Sequence, residues 1–468
     1  MAEKATKKVK REEIPRQPMP EQKPKVRAKN FDEVPFGYIP EAAIKEAQRC
    51  LQCKKPGCVA GCPVEIDIPG FIQLIKEEKF TESIRHIWQK NSLPAVCGRV
   101  CPQEIQCEGM CIVGKKGEPV AIGNLERFVA DWERENGTGA LPPKADPTGK
   151  KVAVVGSGPA GLAAAYHLSR MGHPVTVFEA ENQAGGMLRL AIPLHRLPEA
   201  VLERDLARIL SLGIDLQCNV CVDAHELERF LAEFQAVFYA VGAHQSRRLE
   251  IPGADHRQVM SGLPFLKKVR NGELEKLSGR TVVIGGGNVA IDVAMTARRL
   301  GADHVDIVSL EQHNELPAHA GDVLDARQED ISFHYGWGPG EIGARGNQGL
   351  DVKFFRCLSL WDRGGNFAPR FNPEETLILD ADSVIAAIGQ QPEIGGAGTG
   401  MLNMKAESLL RAHPKTLASP IKGLYVGGDV GGAAGSVASS TVSGSPPSPG
   451  AKLRWNTIGA RLLPPIPR

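Results

Sequence analysis

Eight of the eleven cysteines in this 468-residue chain lie between positions 50 and 111, in two groups of four. The first group is found in CLQCKKPGCVAGCP and the second in CGRVCPQEIQCEGMC, and each has a proline directly after one cysteine. The eight thiols are those of Cys50, Cys53, Cys58, Cys62, Cys97, Cys101, Cys107 and Cys111. Cysteines at such spacings could hold tetrahedral zinc, form a disulfide framework, act as a thiol redox site or ligate iron–sulfur clusters.

The sequence context favours the last of these four chemistries. The start of the chain lacks the apolar core of a signal peptide, so the thiols are expected in a reducing compartment, where disulfide frameworks are rare. Structural zinc stays open, because two sets of four cysteines could each hold one ion. The Cys–Pro pairs and the close spacing suit cubane clusters better, since loops then cover one face and a distant cysteine completes the fourth corner. We therefore predict two [4Fe-4S] clusters.

A glycine-rich turn with different chemistry occurs in VVGSGPAGLAAA, where a predicted strand meets a predicted helix. Its glycines are Gly156, Gly158 and Gly161. In a dinucleotide-binding unit the first glycine makes the turn, the second lets the backbone approach a pyrophosphate, and the third lets helix and strand pack closely. The helix N-terminus then faces the phosphates. Glu179, at the end of the next predicted strand, is expected to accept hydrogen bonds from the ribose of an adenosine.

A second turn of this kind occurs in VVIGGGNVAIDVA, with alanine in place of the third glycine. Its predicted site residues are Gly285, Gly287, Asn288 and Ala290. Ser309 occupies the position that corresponds to Glu179, and Glu311 follows two residues later. No arginine is near to receive a 2′-phosphate, and Glu311 would repel one, so this turn favours NADH over NADPH. A solvent-facing Glu311 without influence on selectivity is the alternative.

The elements that must position these residues follow from periodicity. IPEAAIKEAQRC and IPGFIQLIKEEKFTESIRHIWQKN have apolar residues at helical spacing, so the cysteine region is expected to consist of short helices joined by cysteine-bearing loops. The segment ENGTGALPPKADPTGK is typical of a linker. Both glycine turns then lie in strand–helix–strand patterns, which predicts two dinucleotide-binding folds in tandem. VFYAVGA and VIAAIGQQP are expected where buried strands return from one fold to the other.

Composition excludes several other classes of function. The formal net charge is only +2, and no basic stripe with interleaved aromatic residues occurs, so nothing indicates a nucleic-acid partner. No apolar run is long enough for a membrane span. We expect a cytoplasmic protein whose first 35 residues form a flexible basic arm.

Together, the motifs resemble those of the flavin-dependent pyridine-nucleotide oxidoreductases of the glutamate synthase small-subunit type. Relatives include the N-terminal part of dihydropyrimidine dehydrogenase and the large subunit of ferredoxin–NADP transhydrogenases. The resemblance covers roughly positions 35 to 435 and rests on both cysteine stretches, both glycine turns, GNLERF, AGGMLRLAIPLHRLP, ELPA and GLYVGGDV. It implies FAD on the first turn and NAD(P)H on the second. It also places Gly186, Met187 and Leu188 beside the flavin, and Gly428 and Asp429 near the ribityl chain and phosphate of FAD.

The resemblance also divides the cysteines, because in two-cluster ferredoxins the last cysteine of a run ligates the other cluster. The first cluster is expected to take Cys50, Cys53, Cys58 and Cys111. The second is expected to take Cys62, Cys101 and Cys107, with Glu126 of GNLERF as its fourth ligand, since the family fills this position with a carboxylate or an amide. Cys97 is the rival for that position and otherwise a spare thiol.

The implied fold class is α/β, with two Rossmann-like dinucleotide-binding domains, the NAD(P)H domain inserted in the FAD domain, and an α-helical iron–sulfur domain before them. The predicted units are a flexible basic arm (1–35), a two-cluster domain (36–140), the first part of the FAD domain (150–250), the NAD(P)H domain (251–390), and the second part of the FAD domain with an atypical tail (391–468). The tail after GGDV is rich in Pro and Ser, where the family continues with a helix under the flavin.

The implied activity is oxidation of NAD(P)H by FAD, followed by transfer of single electrons to the clusters and to a redox partner subunit. A small subunit of a glutamate synthase is the leading expectation. An NADH:ferredoxin-type, pyrimidine-reducing or electron-bifurcating oxidoreductase subunit is the alternative enzyme, and an iron–sulfur scaffold with an impaired flavin site is the non-enzymatic one. No side chain is nominated as catalytic, because hydride transfer requires no acid or base.

Overall fold

A computed structural model describes residues 14–137, 141–346, 349–392, 412–413 and 416–431. The predicted atypical tail begins after GGDV, so it lies almost entirely outside these residues. Within the described ranges, no helix combines the length and hydropathy that crossing a bilayer requires.

The cysteine region consists of short helices, as predicted. They are α1 (Pro24–Arg27), α2 (Pro40–Ala47), α3 (Gly57–Gly61), α4 (Ile68–Lys76), α5 (Phe80–Trp88), α6 (Pro94–Val100) and α7 (Ile122–Asn136), with 3-10 helices at Gln103–Ile105 and Ile112–Lys115. Prolines at the first turn start α2, α4 and α6, where a missing N–H costs nothing. The cysteines lie mainly between these helices and at their ends.

The first sheet is parallel, with strand order β15-β4-β1-β2-β3. Its strands and helices are β1 (Val152–Val155), α8 (Pro159–Arg170), β2 (Val175–Phe178), α9 (Met187–Leu190), α10 (Glu199–Leu210), β3 (Asp215–Gln217), α11 (Ala224–Glu233), β4 (Ala236–Tyr239) and, much later in the chain, β15 (Leu424–Val426). All residues of β1 and β4 are buried, as expected of central parallel strands covered on both faces, and all residues of the edge strand β15 are buried as well.

The second sheet is also parallel, with order β6-β13-β7-β8-β9. The chain between β4 and β15 forms β5 (Gln245–Ser246), β6 (Val259–Ser261), α12 (Gly262–Arg270), β7 (Arg280–Ile284), α13 (Asn288–Arg299), β8 (His304–Ser309), α14 (Ala320–Gln328), β9 (Ser332–Tyr335), β10 (Trp337–Arg345), β11 (Gly349–Trp361), β12 (Phe367–Ala381), β13 (Ser383–Ala386) and β14 (Gln390–Gln391). The second sheet is therefore inserted in the first, as predicted.

Two smaller sheets complete the architecture. Strands β10, β11 and β12 form an antiparallel sheet beside the second parallel sheet. Strand β5 pairs antiparallel with β14, with Gln390 opposite Ser246. Strand β5 follows β4 of the first parallel sheet, and β14 follows β13 of the second. The chain therefore enters and leaves the second sheet through two adjacent segments, β5 and β14.

The cysteine-bearing helices share a hydrophobic core with the first sheet. Ile84 and Val96 of the helical region belong to the same buried cluster as Tyr166 and Leu202. The hydroxyl of Tyr166 donates a hydrogen bond to the carbonyl oxygen of Trp88 at 2.6 Å. These two units therefore pack as one body, whereas the second sheet has a core of its own.

The described part of the N-terminal arm, residues 14–35, contacts the helix α14. Arg27 has no exposed surface and lies beside α14, where it pairs with Asp325 at 2.8 Å and with Glu329 at 2.9 Å. Glu329 is itself fully buried, and a buried carboxylate requires a cation close to it. This contact packs the segment around Arg27 against α14.

Candidate functional site

The first group of thiols surrounds one small pocket. Cys50, Cys53, Cys58 and Cys111 line it together with apolar side chains that include Ile68, Ile72 and Val120. Gly57 allows the close approach of the two cysteine loops, since a β-carbon there would lie 2.6 Å from the carbonyl oxygen of Met110. Burial raises the pKa of the Cys58 thiol to about 12, with smaller contributions from Cys111 and Cys50. A bound metal cluster would offset this cost, because its iron stabilises the thiolates.

The second group forms around the loop that follows α6. Burial raises the pKa of Cys62 to about 12, with smaller contributions from Glu126 and Cys101, and it also raises the pKa of Cys107, to which Cys62 and Glu126 add. Because Glu126 and Cys101 contribute to the pKa of both Cys62 and Cys107, these four groups lie in the same region of the helical domain.

Glu126 and Cys97 both lie at this second group. The Glu126 carboxylate is 7% exposed and accepts a hydrogen bond from Asn91 Nδ2 at 2.7 Å. Burial raises its pKa to about 8, and the Asn91 hydrogen bond partly opposes that shift. Cys97 is buried one helical turn before Cys101, whose backbone N–H donates a hydrogen bond to the Cys97 carbonyl oxygen at 3.1 Å.

These residues fit iron–sulfur clusters on two counts. All eight cysteines of the region are free thiols. Four of them line one pocket among apolar side chains, and Cys62, Cys97 and Cys107 are buried.

The first glycine turn lies between β1 and α8. Gly156 has φ +96°, and a β-carbon there would lie 2.5 Å from the carbonyl oxygen of Ala240. A β-carbon at Gly161 would clash with the carbonyl oxygen of Gly156. Gly158, in contrast, faces open space with no atom within 4 Å of a β-carbon position. These three surroundings match the tight turn, the close helix–strand packing and the space for a pyrophosphate.

Glu179 connects this turn to the AGGML loop. Its carboxylate accepts hydrogen bonds from the Ser157 backbone N–H at 2.9 Å, from the Ser157 hydroxyl, and from the Glu181 N–H at 2.9 Å. The same hydroxyl accepts a hydrogen bond from the Gly185 N–H at 3.0 Å. A β-carbon at Gly186, where φ is +53°, would lie 2.7 Å from the Cα of Gly158. Met187 and Leu188 then begin α9, directly beside the turn.

The GGD segment, residues 427–429, follows β15 and approaches the first glycine turn. A β-carbon at Gly428 would lie 2.9 Å from the side chain of Ala160, in the first turn of α8. Asp429 follows at the start of a 3-10 helix. Gly156 and Asp429 are 273 positions apart in the chain. The predicted FAD residues nevertheless converge on the N-terminus of α8.

The second glycine turn lies between β7 and α13. Gly287 faces open space, and Ala290 is fully buried against the strand. A β-carbon at Gly286 would lie 2.5 Å from Glu311 Oε2, so the Glu311 carboxylate lies against the turn. Asn288 donates a hydrogen bond to Asp322 and accepts one from the His319 N–H at 3.3 Å. The four predicted residues and Glu311 thus occupy one end of the second sheet.

Sequence reasoning missed two polar residues that organise these sites. Asn91 contacts both Glu126 and Cys97. Arg196, which follows the AGGML loop, pairs with the buried Asp292 of α13 at 2.7 Å and so connects this loop region to the second Rossmann unit. The sequence gives little signal for either, although an asparagine shortly before a proline-initiated helix is a recognisable turn signal.

Two family models match the chain. One, described as dihydropyrimidine dehydrogenase domain II, 4Fe-4S cluster, matches residues 27–138. The other, described as pyridine nucleotide-disulphide oxidoreductase, matches residues 150–444. The predicted 4Fe-4S chemistry is confirmed by the first, and the predicted pyridine-nucleotide oxidoreductase by the second.

The chain is also similar to several curated proteins. The NADP(+)-dependent formate dehydrogenase subunit beta of Moorella thermoacetica is 35% identical over 80% of this chain, which spans 56% of that protein. The NAD-dependent dihydropyrimidine dehydrogenase subunit PreT of Escherichia coli K12 is 35% identical over 78% of this chain and 84% of its own length. The glutamate synthase [NADPH] small chain of the same organism is 34% identical over 80% and 82%.

Solved structures show the same fold. FprA of Mycobacterium tuberculosis in complex with NADPH aligns with a TM-score of 0.53 and 20% identity, over 66% of this chain and 83% of that one. A 2-naphthoyl-CoA reductase aligns with a TM-score of 0.51 and 21% identity, over 85% of this chain and 50% of that one. The predicted α/β fold class is confirmed.

Proposed function

The chain belongs to the pyridine nucleotide-disulphide oxidoreductase family, with a 4Fe-4S domain before the family region, and from this premise we propose that it is the NAD(P)H-oxidising electron-transfer subunit of a larger enzyme. It is an NAD(P)H-dependent oxidoreductase with FAD and 4Fe-4S cofactors. The observation that carries the proposal is the hydrophobic core shared by the cysteine-bearing helices and the first sheet, because it would hold the clusters and FAD in one body. When bound, FAD and the clusters convert the hydride of NAD(P)H into single electrons.

We assign FAD to the first glycine turn. The open space at Gly158 and the N-terminus of α8 would receive the pyrophosphate, and Glu179 would orient the ribose. Gly186, Met187 and Leu188 would lie beside the flavin, and Gly428 and Asp429 near its ribityl chain. Their convergence on one helix end supports this assignment.

We assign two [4Fe-4S] clusters to the two thiol groups. The first takes Cys50, Cys53, Cys58 and Cys111. The second takes Cys62, Cys101, Cys107 and Glu126. The Glu126→Ala variant is expected to lose or alter one EPR signal of the reduced protein, whereas Cys97→Ser keeps both. If Cys97→Ser loses a cluster and Glu126→Ala keeps both, the fourth ligand is Cys97.

We assign the nicotinamide nucleotide to the second turn, with NADH favoured. The supporting observation is that the Glu311 carboxylate lies against Gly286, where a 2′-phosphate on the adenosine ribose would meet its negative charge. This contact argues against the alternative, in which the Glu311 side chain faces solvent and has no influence on nucleotide selectivity. Asn288 and the backbone around Gly287 would approach the pyrophosphate.

The partner subunit is proposed to be the glutamate-forming subunit of a glutamate synthase. The supporting observation is the similarity to a glutamate synthase small chain, which the alignment covers over 82% of its length. A pyrimidine-reducing partner is the second candidate, because the similar PreT subunit is NAD-dependent and Glu311 favours the same nucleotide. The non-enzymatic scaffold is not supported, since both family models are those of redox domains.

Anaerobic titration of the purified full chain tests the proposal. NADH is expected to bleach the flavin absorbance at lower concentration than NADPH, and absence of flavin or of bleaching by either nucleotide would contradict it. The reduced chain is then mixed with a glutamate synthase large subunit, glutamine and 2-oxoglutarate, or with a pyrimidine-reducing subunit and uracil. Formation of glutamate in the first mixture, without reduction of uracil in the second, supports the leading candidate, and the reverse result favours the other.

A further inference from the structure

Asn91 lies between the two side chains that compete for one ligand position. It is 1% exposed and precedes α6. Its Nδ2 donates a hydrogen bond to Glu126 Oε1 at 2.7 Å, and its Oδ1 accepts one from Cys97 Sγ at 3.7 Å. A single buried amide therefore holds both candidates, each through a different atom.

A third hydrogen bond fixes the orientation of this amide. The backbone N–H of Leu93 donates to Asn91 Oδ1 at 2.9 Å. If the amide were rotated by half a turn, its NH₂ group would face the Leu93 N–H, and its oxygen would face the Glu126 carboxylate. Both contacts would be unfavourable, because each would pair two donors or two acceptors. The start of α6 thus determines that the amide nitrogen faces Glu126.

Glu126 and Cys97 differ in their affinity for iron, so the fourth ligand position requires a residue that selects between them. Iron in a cluster prefers thiolate over carboxylate, since sulfur is the softer donor. Cys97 lies one helical turn from Cys101, a proposed ligand of the same cluster, and their backbones share a hydrogen bond at 3.1 Å. Without a restraint, Cys97 would therefore compete well with Glu126. Asn91 binds only one carboxylate oxygen, so it leaves the other available to a metal.

We propose that Asn91 is a positioning residue for the second cluster, which presents the Glu126 carboxylate to the fourth ligand position and holds Cys97 away from it. This inference rests on the proposed function, in which Glu126 completes that cluster. It assigns a role to a side chain that touches no cofactor.

The Asn91→Leu variant tests the inference, because leucine has a similar size and makes none of the three hydrogen bonds. Cys97 is expected to replace Glu126, so the Mössbauer component of the oxygen-ligated iron disappears while the iron content is retained. The Asn91→Leu/Cys97→Ser double variant is then expected to lose half of its iron, whereas Cys97→Ser alone keeps all of it. The FAD content of each full-length protein reports whether it has folded.

A matched control is Gln103→Leu. The Gln103 side chain donates a hydrogen bond to the carbonyl oxygen of Cys97 at 3.1 Å, so this variant disturbs the same helix without touching Glu126. It is expected to keep the wild-type Mössbauer signature. Asn91→Asp is a second test, since it keeps an acceptor for Leu93 but places a carboxylate against Glu126, and we expect the same exchange of ligands.

Each other outcome overturns the inference in a recognisable way. An unchanged oxygen-ligated signature in either folded Asn91 variant shows that Asn91 does not select the ligand. Loss of FAD from both Asn91 variants, but not from Gln103→Leu, shows a general packing role. Loss of a cluster in Cys97→Ser alone refutes the Glu126 assignment itself, so a failure of the proposed ligand set is distinguished from a failure of Asn91.

Discussion

Two buried glutamates illustrate how the same residue type is adapted to different tasks. Glu179 is 6% exposed and accepts hydrogen bonds from two backbone N–H groups and a hydroxyl, which together solvate its charge. Glu126 is 7% exposed and receives one hydrogen bond, from Asn91. A carboxylate with so little compensation gains more from a nearby cation than a well-solvated one does. The surroundings therefore suit Glu179 to a ribose and Glu126 to a metal.

The Glu311 side chain is predicted to determine the choice of nucleotide. Glu311→Gln removes the charge that would repel a 2′-phosphate and keeps the size, so the ratio of kcat/KM for NADPH to that for NADH is expected to rise about tenfold, equivalent to about 1.4 kcal/mol. Steady-state reduction of ferricyanide measures both values. Glu315→Gln, an exposed acid in the same loop, is the control and should leave the ratio unchanged. An unchanged ratio in Glu311→Gln would mean that this carboxylate has no part in selectivity.

His195 is predicted to make stability depend on pH. It is 1% exposed, neither ring nitrogen has a hydrogen-bond partner among the described residues, and burial together with Arg299, Arg196 and Arg27 holds its pKa well below the ordinary value. Below about pH 6.5 the imidazole binds a proton in the unfolded chain but not in the folded chain. The free energy of unfolding therefore decreases as the pH is lowered below this value, by up to about 1.4 kcal/mol per pH unit.

The His195→Leu variant lacks this proton uptake. Its urea midpoint is therefore expected to fall less than that of the wild type between about pH 7 and pH 5.5. The comparison uses the difference between the two proteins, since other groups that titrate in this range are common to both. Parallel midpoints across the range would show that His195 carries no such linkage.

At the scale of elements, local signals predicted the two βαβ units well. Each combines an apolar strand, a glycine turn and a small-residue helix within one continuous segment, so neighbouring residues determine the structure. The role of Asn91 was not predictable in this way, because Asn91 lies in a loop and its partner Glu126, 35 positions away, lies on α7. The burial of Arg27 depends on Asp325, which is 298 positions away. Contacts of such separation leave no periodic trace in the sequence.

The two open glycines provide a test of the two nucleotide sites. Gly158→Ala and Gly287→Ala meet no protein atom within 4 Å and require no positive φ, so both variants are expected to fold. Each methyl group would occupy space meant for a pyrophosphate. Gly158→Ala is expected to lose most of its FAD, whereas Gly287→Ala keeps FAD and binds NADH at least about tenfold more weakly.

Flavin absorbance after purification and NADH titration measure these two effects. Gly117→Ala, which also meets no atom within 4 Å, is the control and should change neither. If Gly158→Ala retained full FAD and Gly287→Ala did not weaken NADH, the cofactors would not lie at these turns.

At the scale of the molecule, the N-terminal segment joins units that are distant in the chain. The Val34 N–H donates to the carbonyl oxygen of His195 at 3.1 Å, and Arg27 pairs with two carboxylates next to the second sheet. Arg196 adds a further ion pair between the AGGML side and α13. The arrangement of the two parallel sheets is thus held by charged contacts as well as by the chain crossings.

Removal of the Arg27 charge is predicted to loosen this arrangement. Arg27→Met leaves Glu329 with Arg299 as its remaining buried cation, so we expect a loss of about 3 kcal/mol and a lower urea midpoint. Trypsin is expected to cleave within residues 14–35 faster than in the wild type. Lys25→Arg, on the exposed face of the same short helix, keeps the charge and the trypsin site, and as the control it should change neither measurement. Equal rates of cleavage in Arg27→Met and wild type would contradict this prediction.

The pairing of β5 with β14 brings the two ends of the inserted segment together, so we expect the second parallel sheet to behave as an exchangeable unit, called the cassette below. Because Ser246 lies opposite Gln390, the segment between them begins and ends at one point, and it has a hydrophobic core of its own. A chain with this geometry tolerates excision, transplantation or circular permutation at the junction better than a cut elsewhere. Nucleotide preference is therefore expected to be exchangeable between relatives by swapping this cassette, while the flavin and the electron path stay with the recipient.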